Sequence, residues 1–238
     1  MLVVPAGSVL MGRSAAWMHG GRWVCGSLDP VEMAVPPSAP GRTRERLAVR
    51  RVSLVRSEIA NLRGLPVTTP LRTAWDVAAA HPVETSVPVL DELLHRGIVE
   101  HTQLRAFADG RRGHPGAARA RAAIESADGR AESPPESRLR LLLERAGLTP
   151  VPQVRIRDRA GRVVARTDLG FPEERVGVEY DGAHHAEPGQ FTRDRVRLNA
   201  IQEAGWRIVF VTAADLRNLD GAVRRVREAL AQARQGRK

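Results

Sequence analysis

Two short runs of alternating apolar and polar residues, Val163–Leu169 and Val176–Asp181, flank the turn-rich segment Gly170–Glu174. A period of two with β-branched residues predicts half-buried strands, and the short spacer joins them as a β-hairpin. With the turn centred between Glu173 and Glu174, Asp168 falls opposite Glu179, their Cβ atoms about 4.5–5.5 Å apart. Side chains alternate along a strand, so Glu179 and Asp181 share one face while Val176, Val178 and Tyr180 take the other, toward the core.

Elsewhere the apolar positions recur at helical spacing. Thr69-Pro70 opens a helix through His81, with Thr69 as cap, Pro70 at the first position and Trp75, Val77 and Ala78 inside. Shorter helices are predicted over Ser14–Gly20, Pro88–Arg96, Thr102–Ala108 and Gly116–Ala127, and Leu47–Val55 reads as a basic strand. The Pro-, Ala- and Ser-rich stretch Asp29–Pro40 reads as a loop. A boundary is expected at Arg130–Ser133, dividing the chain into 1–130 and 131–238. Ser133-Pro134-Pro135-Glu136 is a capping-box helix start whose apolar face carries Leu139, Leu142, Leu143 and Ala146. A strand near Val151–Arg157, the hairpin, a helix over Phe191–Ala204, a strand at Arg207–Val211 and a basic helix over Leu219–Gln235 follow. The first part is thus mostly helical with a small strand element. The second runs helix, three strands, helix, strand, helix, and the whole is of the α/β (α+β) class.

A formal net charge of +10 and a pI near 11.3 point toward a polyanionic partner, nucleic acid before others. The chain uses arginine almost alone, Lys238 being the single lysine, and such a bias also follows from a GC-rich genome. One cysteine, Cys25, excludes an intramolecular disulfide and a Cys-rich zinc site. With neither a membrane-length apolar run nor a signal-like leader, a cytoplasmic protein is expected, with no membrane partner.

Two carboxylates facing each other across a ladder are destabilising unless one is protonated or a cation lies between them. Asp168, Glu179 and Asp181 form an oxygen-only set, which suits Mg²⁺ or Mn²⁺ better than Zn²⁺. The same three acids also fit a solvated hairpin face. Asp194 and Arg197 lie one helical turn apart, as an ion pair or a phosphate clamp. Arg111, Arg112 and His114 in a glycine-rich loop are either phosphate contacts or solvated charges. Glu136 serves equally as a capping residue, and Tyr180 and Trp206 as core.

The segments SPPES around Glu136, RTD ending at Asp168, EYDGAHH from Glu179 to His185 and RDRVRLNAIQEAGW from Arg193 to Trp206 together carry a resemblance. Ser133–Leu230 resembles a bacterial domain family related to the very-short-patch-repair endonucleases, within the PD-(D/E)XK restriction-endonuclease-like fold. The resemblance implies Asp168 and Glu179 as metal ligands and Glu136 as a supporting acid. Asp181 stands where many members hold lysine, and His185 is the substitute as general base or second-metal ligand, ahead of His184. In the first half, VLMGRSAAWMHG and GLPVTTPLRTAWDVAA are similar to the AbiEi family of type IV toxin–antitoxin antitoxins and abortive-infection regulators. The winged helix that usually opens that family finds no room before Val9.

These readings lead first to a Mg²⁺- or Mn²⁺-dependent nuclease acting on DNA, with Asp168, Glu179, Asp181, His185 and Glu136 as its site. Arg197, Arg224, Arg225 and Arg227 are candidate backbone contacts, though on the last helix a solvated face explains them as well. The alternative is an inactive nuclease-fold regulator of a toxin–antitoxin or phage-defence system, with a toxin or antitoxin partner, and the missing lysine favours it. An RNA-directed nuclease is a third reading. The oligomeric state stays open.

Overall fold

The turn at Pro172–Arg175 sets the hairpin register: Phe171 pairs with Val176, Gly170 with Gly177 and Leu169 with Val178. That is the register expected from the turn centre, and continuing it by one residue sets Asp168 opposite Glu179. In the computed structural model these two strands sit in the second of two compact units, Met1–Pro134 and Pro135–Lys238. The structure describes residues 7–39, 43–182, 190–217 and 219–236. Both units are of mixed α/β type, each built on one mixed sheet.

In the first unit the elements are β1 (Val9–Leu10), α1 (Gly12–Met18), β2 (Val31–Val35), β3 (Leu47–Arg51), β4 (Ile59–Leu62) and β5 (Leu65–Thr68). Four helices follow, α2 (Pro70–Ala80), α3 (Val83–His95), α4 (His101–Asp109) and α5 (Ala117–Glu125). The sheet order is β3-β2-β1-β5-β4, so the strand content exceeds the small element expected. Strand β2 lies inside the stretch read as a loop. Its composition hid it, but Met33, Ala34 and Val35 are buried, Met33 and Ala34 are paired on both sides and Val35 with β3, and that tertiary pairing overrides weak local propensity. The basic strand stops at Arg51 rather than Val55. Helix α1 begins at Gly12 with Met11 as cap, because the Ser14 hydroxyl accepts the Glu32 backbone N–H instead of capping. Helix α3 starts at Val83, after Pro82, and carries Pro88 within it; burial of Val87, Leu90 and Leu93 offsets the one backbone bond that Pro88 forgoes.

Ion pairs are buried beside this core. Arg72 donates from Nη1 to Glu58 at 2.6 Å and from Nε to Asp76 at 2.9 Å. Arg111 donates to the other oxygen of Glu58 and stacks over the Phe107 ring at 3.5 Å, so the glycine-loop arginine serves a structural network. Burial raises the Glu58 carboxyl, but the hydrogen bonds from Arg72, the Val55 N–H and Arg111 outweigh it and leave the group below its usual range. Asp76 goes the other way. Burial pushes it up to about 6 against the pull of Arg72.

The second unit contains α6 (Pro134–Arg145), β6 (Val151–Arg157), β7 (Val163–Phe171), β8 (Val176–Asp181), α7 (Gln190–Glu203), β9 (Arg207–Thr212) and α8 (Leu219–Gln235). The sheet runs β6-β7-β8-β9, antiparallel except for the parallel β8–β9 pair that the intervening helix requires. Leu139 and Leu143 of α6, with Ala222, Val226, Ala229 and Leu230 of α8, pack on Leu169, Phe171, Val176, Val178, Val209 and Val211. Ile201 of α7 packs on Ile156 and Ala165, joined by Leu198, Trp206 and Ile208. Trp206 is therefore core, and Tyr180 packs at the edge of the other cluster.

Because Arg72 holds two buried acids at once, Arg72→Ala should lower stability by about 3–5 kcal/mol in urea titration followed by tryptophan fluorescence. A loss below about 1 kcal/mol would mean that water reaches and solvates Glu58 and Asp76.

Candidate functional site

The acids of the second unit gather where the β7–β8 ladder ends. Beyond the Leu169–Val178 pair no backbone partner remains for Tyr180 N–H on that side, and the Asp168 carboxylate takes its place, accepting that N–H at 2.8 Å. Thr167, fully buried, donates its hydroxyl to the carbonyl of Leu169 at 3.1 Å or Val178 at 3.2 Å. Gly177 faces it: a Cβ there would stand 2.8 Å from Thr167 Oγ1 and 2.6 Å from Ile208 Cδ1, so only glycine allows this approach. Across the other ladder, Pro152 pairs with Leu169 and Val154 with Thr167, which sets Gln153 opposite Asp168. Gln153 has φ +55°, a left-handed conformation that costs a non-glycine residue about 1–2 kcal/mol. From there its Nε2 donates to Glu136 Oε2 at 2.9 Å, tying α6 to the site.

Glu136 and Glu179 are both buried, and their fields act on Asp168. Asp168 is pushed up to about 6, chiefly by burial, with the two neighbouring carboxylates adding to the rise and the Tyr180 N–H and Arg166 opposing it. Glu179 is neutralised differently. Arg197 of α7 donates from its two terminal guanidinium nitrogens to the two oxygens of Glu179, Nη1 to Oε2 at 3.1 Å and Nη2 to Oε1, and Nη2 also reaches the Arg166 carbonyl at 3.1 Å. The cation demanded by facing carboxylates is thus present as Arg197, and a raised Asp168 supplies part of the relief. Arg197 does not pair with Asp194, which is exposed, nor does it stand as an open phosphate clamp.

Of the acids read from the sequence, Asp168, Glu179 and Glu136 come together. Asp181 is exposed at the end of β8, beside Thr212, and makes no ion pair among the described residues. His184 and His185 lie outside the described residues. Among the described residues no group of three or more His, Cys, Asp or Glu is disposed to hold a metal ion. Mg²⁺ and Mn²⁺ need oxygens around a common centre, but here Glu179 is forked onto a guanidinium and one Asp168 oxygen is spent on a backbone N–H. As arranged, this donor set does not fit the ion. Gln153, with its strained backbone and link to Glu136, is the member sequence reasoning missed; its position opposite Asp168 appears only once the β6–β7 register is known.

The candidate backbone contacts on α8 are engaged within the unit. Arg225 pairs with Asp215 at 2.8 Å, Arg227 donates to the Ala146 carbonyl at 2.6 Å, and Arg224 lies 3.8 Å from Glu228. Asp215 is held down at about 2, first by the Thr212 N–H and then by Arg225.

Three comparisons bear on this arrangement. The family described as AbiEi antitoxin C-terminal domain matches residues 7–126. Two uncharacterized proteins of Mycobacterium tuberculosis, from strains CDC 1551 / Oshkosh and ATCC 25618 / H37Rv, are each 31% identical over 186 residues, covering 76% of this chain and 68% of their own. No solved structure matches the chain. None of the helices among the described residues is long and apolar enough to cross a membrane.

A carboxyl raised in the folded state lies above its unfolded value of 3.8, so folding gains as pH falls from about 6 toward that value and loses on the alkaline side. Asp168→Asn mimics the protonated form and keeps an acceptor for Tyr180. It should melt higher than wild type at pH 8, with the gain shrinking as pH falls through 6. A gain independent of pH would remove the raised Asp168 from the account.

Proposed function

The chain belongs to the AbiEi antitoxin C-terminal domain family, and from that premise we propose that it is an antitoxin-like regulator that binds nucleic acid without cutting it. The observation that carries this reading is the Arg197 fork on Glu179. In a metal-dependent nuclease a carboxylate at this position turns its oxygens to the ion. Here those oxygens already have a permanent cationic partner, one that cannot be deprotonated in a protein. The lysine expected two residues after Glu179 is Asp181, so this site also lacks the cation that would steady an attacking hydroxide. The family match over 7–126 supports a toxin as the physiological counterpart, and the net charge of +10 supports nucleic acid as a ligand.

The second reading, a Mg²⁺- or Mn²⁺-dependent DNA nuclease, is favoured by one observation. The order helix, three strands, helix, strand, helix over the sheet β6-β7-β8-β9, with Glu136, Asp168 and Glu179 brought together, is the arrangement that the endonuclease-like resemblance implies. It requires Arg197 to leave Glu179 first.

Supercoiled plasmid separates the two readings. With Mg²⁺ or Mn²⁺ the protein should shift the plasmid on a gel and leave it unnicked. Nicking that disappears with EDTA and with Glu179→Ala would overturn the regulator in favour of the enzyme. The antitoxin part is tested in cells: co-expression should restore growth arrested by a toxin of an AbiEi-type toxin–antitoxin pair, and a failure to restore growth would leave a nucleic-acid binder of another system.

A further inference from the structure

We propose that the groove beside α1 binds single-stranded RNA, with Trp17 as the face on which a base stacks and Arg46 as the phosphate contact; this rests on the nucleic-acid-binding part of the reading above. The groove, about 600 Å³, lies within the first unit, between the end of α1, the loop that leads into β2 and the start of β5. Its apolar wall is Leu10, Trp17, Met18, Val31 and Leu65. Trp17 is 54% exposed, although Ala15 and Ala16 beside it on α1 are fully buried. An indole carries a large apolar face, and leaving it in water forgoes the burial that Trp75 obtains in the core. Val31 and Leu65 are exposed along the same wall.

The charges that line the groove are not balanced. Asp29, its one acid, accepts at Oδ2 from Arg13 at 3.0 Å and from the Gly26 N–H at 2.8 Å, so its charge is met from outside the groove. Arg46, its one cation, has no carboxylate partner among the described residues; its Nη2 donates to the Ser27 carbonyl at 2.8 Å, which leaves the positive charge uncompensated. Arg46 also holds φ +62°, a left-handed conformation that glycine or asparagine adopts with less strain. An arginine in such a backbone, exposed and beside an aromatic wall, points to a use for its guanidinium.

An aromatic wall next to an unpaired cation is complementary to a base joined to a phosphate. Every base has a π-face, so stacking on Trp17 tolerates any sequence. Bases in a duplex stack on one another, and only an unpaired strand can splay one out onto a side chain. A bilayer surface would also cover Trp17. It would draw the Asp29 carboxylate out of water with Oδ1 lacking a partner among the described residues, which is costly. A ribose 2′-hydroxyl supplies the missing donor for that oxygen, and deoxyribose has none at the position, so the groove selects RNA.

The test is fluorescence anisotropy of a short labelled oligouridylate with the full chain across a salt series. Trp17→Ala should lose affinity about tenfold, with Trp17→Phe between it and wild type. Arg46→Asn, which suits the left-handed backbone, should weaken binding and flatten the log–log salt slope by about 0.7. Should Trp17→Ala melt lower than wild type, Arg46→Asn carries the test. Two further readouts report on the groove itself. In a Trp23→Phe background Trp17 is the one tryptophan left more than half exposed, so bound oligouridylate should quench it. Cys25, the single cysteine, lines the groove, and its alkylation should slow severalfold. Wild type that binds no nucleic acid at low salt overturns the nucleic-acid reading itself. Wild type that binds while Trp17→Ala and Arg46→Asn match it, with Cys25 alkylated as fast as before, overturns the groove alone. Equal affinity for oligothymidylate overturns the choice of RNA. Quenching by anionic phospholipid vesicles and not by oligouridylate overturns the proposal in favour of a membrane surface.

Discussion

Acids brought together away from water have to be neutralised, and the second unit is arranged around how that is done. Glu136, Asp168 and Glu179 act on one another where the β7–β8 ladder opens. One is matched by a guanidinium, one has its proton affinity raised to about 6, and one is bonded by a glutamine amide. Remove the guanidinium and Glu179 is left buried and uncompensated, which costs far more than the pair contributes over two apolar residues. The first unit solves the same problem in the same way. Glu58 takes hydrogen bonds from Arg72 and Arg111, and Asp76 shares Arg72 while its own proton affinity rises to about 6. With Lys238 as the only lysine, every such role falls to arginine, whose planar fork can bridge two acids or both oxygens of one.

How much of this could be read from the chain depends on the range of the interaction. The hairpin register was legible because it follows from the turn centre, a matter of five residues between Gly170 and Glu174. The apolar face of α6 was legible because Leu139 and Leu143 recur at helical spacing, and both are fully buried. β2 was not, since Val31–Val35 carries no alternation and owes its extended form to β1 and β3 on either side. The partner of Arg197 was misjudged for a similar reason. Asp194 is the local choice, but it is exposed, and an exposed pair one helical turn apart gains only a few tenths of a kcal/mol. Glu179, buried and distant in sequence, has much more to lose by staying unpaired. Burial, invisible in the sequence, decided the pairing.

The site that results keeps the layout of an acid cluster at a strand junction while its chemistry points elsewhere. In a Mg²⁺ or Mn²⁺ site the ligating carboxylate oxygens face the ion, whose charge balances them. Here the protein supplies it. Gln153 shows that the junction is nonetheless built: a left-handed residue in mid-strand, set opposite Asp168 and bonded to Glu136, persists only where the surrounding structure over-determines it. Strain of this kind, with Gly177 pressed against Thr167 and Ile208, fixes the junction as a rigid structural knot between α6 and the sheet.

The same bookkeeping of partners separates arginines that face inward from those that face a ligand. Net charge alone would rank the terminal helix first, since Arg224, Arg225, Arg227 and Arg234 crowd it. Yet Arg225, Arg227 and Arg234 reach Asp215, the Ala146 carbonyl and Glu174, so those charges are largely spent before any ligand arrives. A phosphate would have to compete with contacts already made. Long-range attraction draws on all the arginines through the summed field. Close contact has to come from guanidinium groups whose hydrogen-bonding capacity the fold has not used, and on α8 most of that capacity is gone.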